Sequence, residues 1–156
     1  MYTSESNKND PNIKFLPVLK FKKTHELAKL PTKNHDSDTG YDVYSIEDKI
    51  IPAKGSAIVE VGLKFASIPE GYWVKVESRS GLGFKHGVMA HPGIIDCGYR
   101  GDAGVKLYNF TDLDYQVKTG DRIAQFALYF TLSMPVEWGE IEDSSRGEKG
   151  FGSSGK

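Results

Sequence analysis

Cysteine is almost missing from this chain: its 156 residues contain one, Cys97. A lone thiol excludes an internal disulfide and any cysteine-based zinc cluster, and it suits a reducing compartment. No apolar run approaches the ~20 residues of a membrane span. The first ten residues, Met1 to Asp10, lack an apolar core and carry acids, so they read as neither signal nor transit peptide. An excess of one charge is absent too, since 20 Lys and Arg face 21 Asp and Glu for a net charge of -1. Nothing therefore draws the whole surface toward nucleic acid or anionic membrane, and any bound anion must be gripped locally. A cytoplasmic, soluble protein with no stable nucleic-acid or membrane binding is expected. The length fits one domain able to bury a core without staples.

Helical periodicity is also scarce. Period-2 apolar runs recur instead, with turn signals about every 8 to 12 residues, which predicts an all-β sandwich or barrel. Residues 1–12 are polar and read as a disordered tail. Residues 13–21 predict an edge strand, because Pro17 cannot donate to a central ladder. Residues 24–30 suggest one helical turn stopped by Pro31. The alternation in 56–65 predicts one half-buried strand with Val59, Val61, Leu63 and Phe65 inward, and Pro69-Glu70-Gly71 would join it to Tyr72, Val74 and Val76 as a hairpin. Residues 77–87 read as strand giving way to one or two helical turns, and 104–110 as another alternating strand. Residues 117–130 predict a turn and a long strand buried on both faces, in which Gln125 must find polar partners. A last short strand is expected within 134–143, followed by a glycine-rich arm over 144–156.

The centre of the chain is the run Gly93-Ile94-Ile95-Asp96-Cys97-Gly98-Tyr99-Arg100-Gly101-Asp102. Ile94-Ile95 reads as a buried strand, and Gly98 as a residue permitting a turn closed to other residues. Asp96, at that strand's end, reads either as a partly desolvated base able to activate water or as a cap for the turn. Arg79, the Ser80 hydroxyl and the backbone N–H groups of a helix start offer what a phosphate needs, although a surface turn reads equally from Ser-Arg-Ser-Gly alone. Asp36, Asp38 and Asp42 lack the Gly and Glu spacing of a calcium loop.

Five segments in order then carry a resemblance: Gly40-Tyr41-Asp42-Val43, Arg79-Ser80-Gly81-Leu82, Gly93 through Gly101, Gly120-Asp121-Arg122-Ile123-Ala124-Gln125, and Arg146-Gly147 through Gly150-Phe151-Gly152-Ser153-Ser154-Gly155. Together they resemble the trimeric dUTPase family. The resemblance implies a distorted jelly-roll-like β-barrel over 13–143, with one short helix and a mobile C-terminal arm. It implies a homotrimer whose active sites are shared between chains. The implied reaction is magnesium-assisted hydrolysis of dUTP to dUMP and pyrophosphate, keeping uracil out of DNA and supplying dUMP for dTTP synthesis. By that likeness Asp96 activates the water that attacks the α-phosphorus, and Tyr99 stacks on the deoxyribose. Arg79, Ser80 and Gly81 hold the phosphates with Gln125 beside them. Gly93 and Ile95 border the nucleoside, and Asp42 reaches Mg2+ through water. Arg146, Gly152, Ser153 and Ser154 grip the γ-phosphate end, with Phe151 over the uracil.

Several positions depart from the family pattern: Ser78 where Pro is frequent, Thr39 where a small Ala is usual, Gly98 where many members carry a second acid, and Ser154 for Thr. The uracil-reading hairpin 88–93 has no Asn or Gln, so base discrimination is expected from its backbone, with His91 on the surface. Two rival readings are a nucleotide-dependent, partner-binding regulatory protein of the same fold and a dCTP deaminase relative.

Overall fold

A computed structural model describes residues 17–145, 147 and 148 of the chain. The strands in chain order are β1 (Lys20–Lys23), β2 (Gly40–Tyr44), β3 (Lys49–Ile51), β4 (Ser56–Val59), β5 (Leu63–Ser67) and β6 (Tyr72–Glu77). One helix, α1 (Ser80–His86), follows. Then come β7 (Val88–Ala90), β8 (Gly93–Ile95), β9 (Val105–Asn109), β10 (Tyr115–Val117) and β11 (Arg122–Phe130). They pair as β2-β11-β6-β8, β4-β9-β7, β1-β5 and β10-β3, and every ladder is antiparallel. The result is the expected mostly-β, jelly-roll-like barrel, whose sheets share one apolar core.

The alternating sequence builds that core directly. Val59, Val61, Leu63, Phe65, Val74, Val76, Val105 and Leu107 all point inward. Phe65 lies 5.6 Å from Phe126 and 5.0 Å from Phe21, centroid to centroid, so three rings from β5, β11 and β1 meet. β11 sits between β2 and β6, and Ile123, Ala124, Phe126 and Ala127 are buried from both sides, as the unbroken apolar run requires.

Several expectations are corrected. The run 56–65 is two strands in different sheets, because Gly62 adopts a φ of 66° and breaks the ladder. The turn at Pro69 forms, with the Tyr72 N–H donating to the Pro69 carbonyl at 3.1 Å, yet β5 and β6 make no hairpin. β6 has both of its edges occupied by β11 and β8, and β5 pairs with β1. Among the described residues the first strand starts at Lys20, after Pro17, while residues 13–16 of the expected edge strand lie outside them, and 24–30 makes a turn in which Ala28 N–H meets the His25 carbonyl at 3.0 Å, without a helix. Ile94 is 70% exposed, because β8 is an edge strand with one face uncovered. Residues 134–143 form no strand and are exposed throughout: their apolar alternation has no ladder partner within the chain.

Candidate active site

Two neighbouring strands bring the first group together. Asp42 on β2 stands opposite Gln125 on β11 and is only 5% exposed. Its Oδ1 accepts hydrogen bonds from Arg79 Nε at 3.0 Å and Gln125 Nε2 at 3.3 Å, while Oδ2 accepts from Arg122 Nη1 at 3.1 Å. Arg79 Nη1 also donates to the Arg122 carbonyl at 3.1 Å. A buried carboxylate is tolerable when paired and hydrogen-bonded in this way. Gly40 makes the space: a Cβ there would fall 2.9 Å from the Gln125 side chain.

Arg79 is the residue before α1, with φ −84° and ψ 130°, and its side chain caps nothing. The guanidinium is thereby turned to Asp42, one carboxylate against two cations, which leaves the cluster net positive beside Ser80 and Gly81. Both of those are exposed at the helix start, while Leu82 anchors the helix in the core. Tyr115 lines a cavity with Arg79 and Arg122, and burial, then the Asp121 charge, raises its phenol above the ordinary value of 10.0.

The second group surrounds a cavity of about 310 Å³ lined by Gly93, Ile95, Asp96, Tyr99, His91 and Lys106 among others. Asp96 follows β8, and its carbonyl accepts the Tyr99 N–H at 3.0 Å, closing a tight turn. The carboxylate bearer is exposed in the single chain, so the desolvation expected of it is not supplied by its own fold. Gly98 keeps an ordinary negative-φ backbone, and a Cβ on it would meet nothing within 4 Å, which corrects the idea that the turn needs glycine there. Gly101 is the glycine that counts, because a Cβ on it would collide with the Tyr99 ring. That ring donates its hydroxyl to the Asp102 carbonyl at 3.0 Å and stands edge-on to Phe65, with 44% of the residue exposed. Arg100 ties the turn by donating to the carbonyls of Cys97 and Tyr99, each at 2.7 Å.

Asp96 and Tyr99 line one cavity, whereas Arg79 and Ser80 line another with Phe84 and Met89. Arg146, Phe151, Gly152, Ser153 and Ser154 lie outside the described residues. Among the described residues no three His, Cys, Asp or Glu side chains converge as a metal cage. Three of the roughly four acceptor positions on Asp42 are used. The remainder suits contact with one metal-bound water, the mode of a magnesium ion carried mainly by phosphates.

The family model described as dUTPase matches residues 26–155. The chain belongs to the dUTPase family. A deoxyuridine 5'-triphosphate nucleotidohydrolase of Oryza sativa subsp. japonica is 44% identical to it over 145 residues, covering 91% of this chain and 83% of the relative. One of Arabidopsis thaliana is 41% identical over 140 residues, covering 89% and 84%. Among solved structures, the dUTPase of Staphylococcus bacteriophage 80alpha with dUPNHPP matches with a TM-score of 0.82 at 30% identity, covering 89% of this chain and 99% of that one. A mutant dUTPase from phage phi11 of S. aureus, solved with a structural Mg(II) ion, matches with a TM-score of 0.73 at 26% identity, covering 81% and 99%.

In this dUTPase-family chain the residues that sequence reasoning left without a role are Arg122 and His91. Arg122 heads β11 directly after Asp121, and only the register shows that it reaches Asp42. His91 is exposed as expected, yet it borders the nucleoside-sized cavity. Ser78, the departure from Pro, accepts the Ala90 N–H at 2.9 Å and donates to its carbonyl at 3.2 Å, fastening the end of β6 to β7. The hairpin expected over 88–93 does not form, because β7 pairs with β9 and β8 with β6.

Proposed function

We propose that this chain hydrolyses dUTP to dUMP and pyrophosphate by attack of an activated water on the α-phosphorus. The observation that carries the reading is the cavity in which Asp96 stands beside a Tyr99 ring wedged by Gly101 and pinned to Asp102. Such a ring offers a flat wall to a sugar and leaves no volume for a 2′-hydroxyl. Asp96 takes the proton of the attacking water, a role typically worth ~10² to 10⁴ in rate. Arg79, Ser80, Gly81 and Gln125 hold the phosphate chain, and the Asp42–Arg122 pair keeps the Arg79 fork aimed. Phosphoryl transfer asks mainly for such positioning and charge neutralisation. When bound, Mg2+ would add to the neutralisation of the triphosphate, and Asp42 would be the residue that holds it, through a water.

The working unit is a homotrimer with shared sites. The support is that Asp96 and Arg79 line different cavities of one chain, while Ile94, Phe84, Val136, Trp138 and Ile141 are strongly exposed. Apolar surface of that extent asks for a partner. A neighbour's contact would also supply the desolvation that Asp96 lacks alone. The arm 144–156 closes the site, with Arg146, Gly152, Ser153 and Ser154 on the terminal phosphate and Phe151 over the base, excluding bulk water. The protein acts in the cytoplasm, removing dUTP before it enters DNA and yielding dUMP for dTTP synthesis. Among the described residues no helix is long and apolar enough to cross a membrane.

Turnover of dUTP in heavy-oxygen water tests the attacked atom. Label in dUMP is the expected result, and label in pyrophosphate would refute attack at the α-phosphorus.

A further inference from the structure

Arg79 and Ser80 border a second cavity, of about 390 Å³, whose other walls are Ser78, Gly83, Phe84 and Met89. That volume lies in the range that takes a small organic ligand. Its two ends differ in chemistry. At one end stand the Arg79 guanidinium and the exposed Ser80 hydroxyl. Arg79 gives Nε to Asp42 and Nη1 to the Arg122 carbonyl, and among the described residues its Nη2 has no partner. At the other end Phe84 is 93% exposed and Met89 46% exposed. Gly83 leaves the floor open, since a Cβ there would already touch Met89 at 3.9 Å. Ser78 brings no unmet polar demand, because its hydroxyl exchanges two hydrogen bonds with Ala90.

An anion-binding mouth that opens on a flat apolar end fits a phosphate carrying an aromatic group. The Phe84 ring and the Met89 thioether offer a surface tolerant of any base, since every nucleobase has a π-face. With the uridine in the Asp96 and Tyr99 cavity and the phosphates on Arg79 and Ser80, dUTP has nothing to place there.

We infer that this chain also hydrolyses dinucleoside triphosphates in which a second nucleoside is esterified to the terminal phosphate of dUTP, its base stacking on Phe84 beside Met89. This rests on the dUTP reading and widens its substrate class. Water oxygen bonds to the α-phosphorus, and the bond from that phosphorus to the α–β bridging oxygen breaks. Asp96 takes one proton of the water, and the other leaves the new dUMP oxygen for solvent. The products are dUMP and a nucleoside diphosphate, which departs with the bridging oxygen.

The test is steady-state kinetics of the full-length protein with magnesium on three substrates: dUTP, its methyl ester at the terminal phosphate, and deoxyuridine–adenosine 5′,5′-triphosphate. The parent should convert the last to dUMP and ADP with kcat/KM about tenfold above that of the methyl ester, the scale of one base stacked on an aromatic ring. Phe84→Ala should erase that advantage and leave dUTP and the methyl ester unchanged, while Phe84→Trp should preserve it. Absence of ADP, or equal efficiency for the two esters, would overturn the inference while dUTP hydrolysis stands. A Phe84→Ala loss shared by all three substrates would overturn it too, because the ring would then serve the dUTP site itself. So would a change of assembly state in Phe84→Ala by light scattering, which would assign the ring to a subunit contact. A parent inactive on dUTP would instead overturn the underlying reading.

Discussion

Asp42→Asn tests the charge cluster that aims Arg79. The amide keeps the volume of a side chain that is 7% exposed, so no cavity opens and β2 keeps its register. It can still accept from Arg79 and Gln125 through Oδ1, but its NH2 then faces the Arg122 Nη1 donor now 3.1 Å from Oδ2. A hydrogen bond to a charged group contributes roughly 1.5–3 kcal/mol when well shielded. Arg79, with 23% of its side chain exposed, stands near that range, whereas Arg122, at 46%, belongs closer to the ~1 kcal/mol of a solvent-facing pair. The loss should total about 2–3 kcal/mol, which for a chain of this size lowers Tm by roughly 5–10 °C. KM for dUTP should rise as well, because Arg79 loses its fixed direction. Scanning calorimetry and steady-state kinetics of parent, Asp42→Asn, Arg122→Gln and the double variant make a complete cycle. Arg122→Gln should cost much less in the Asn background than alone. A Tm within about 2 °C of the parent with an unchanged KM would refute the claim that Asp42 holds both arginines.

Tyr99→Ala should raise the UTP-to-dUTP ratio of kcat/KM by removing the wall against a 2′-hydroxyl, and Gly101→Ala should shift it the same way by displacing the ring; kinetics with both nucleotides check this. Light scattering should give a trimer near three times 17.3 kDa, and an active monomer at assay concentration would contradict shared sites. Asp48→Asn should lower stability at neutral pH. The Thr119 backbone N–H, then its hydroxyl, hold the Asp48 carboxyl below its usual 3.8, so the carboxylate stabilises the fold above that pH and ceases to as pH falls through its lowered value. Melting curves of the two proteins should therefore converge in acid.

Much of the site was legible before the fold. Gln125 meets a polar partner as an amide in a buried strand must, although that the partner is Asp42 came only from the pairing of β2 with β11. The turn at Asp96 and the tethered ring of Tyr99 lie where the glycines and the short strand put them, although Gly101 carries the steric need that the sequence suggested for Gly98. What stayed hidden depends on pairing between distant segments. Period-2 alternation looks the same for one long strand and for two broken at Gly62, and it does not say which strands lie side by side. The exposure of Ile94 and of 134–143 was illegible for a related reason: an apolar strand pattern marks a surface to be covered, not the chain that covers it.

The central claim is that Asp96 is the base in a dUTP-hydrolysing site. Its most direct test is the rate of pyrophosphate release from dUTP and magnesium by the parent and by Asp96→Asn, with analogue binding measured on both. The parent should turn over, and the variant should bind the analogue while releasing pyrophosphate ~10² to 10⁴ times more slowly. Turnover by Asp96→Asn within a few-fold of the parent would contradict the account.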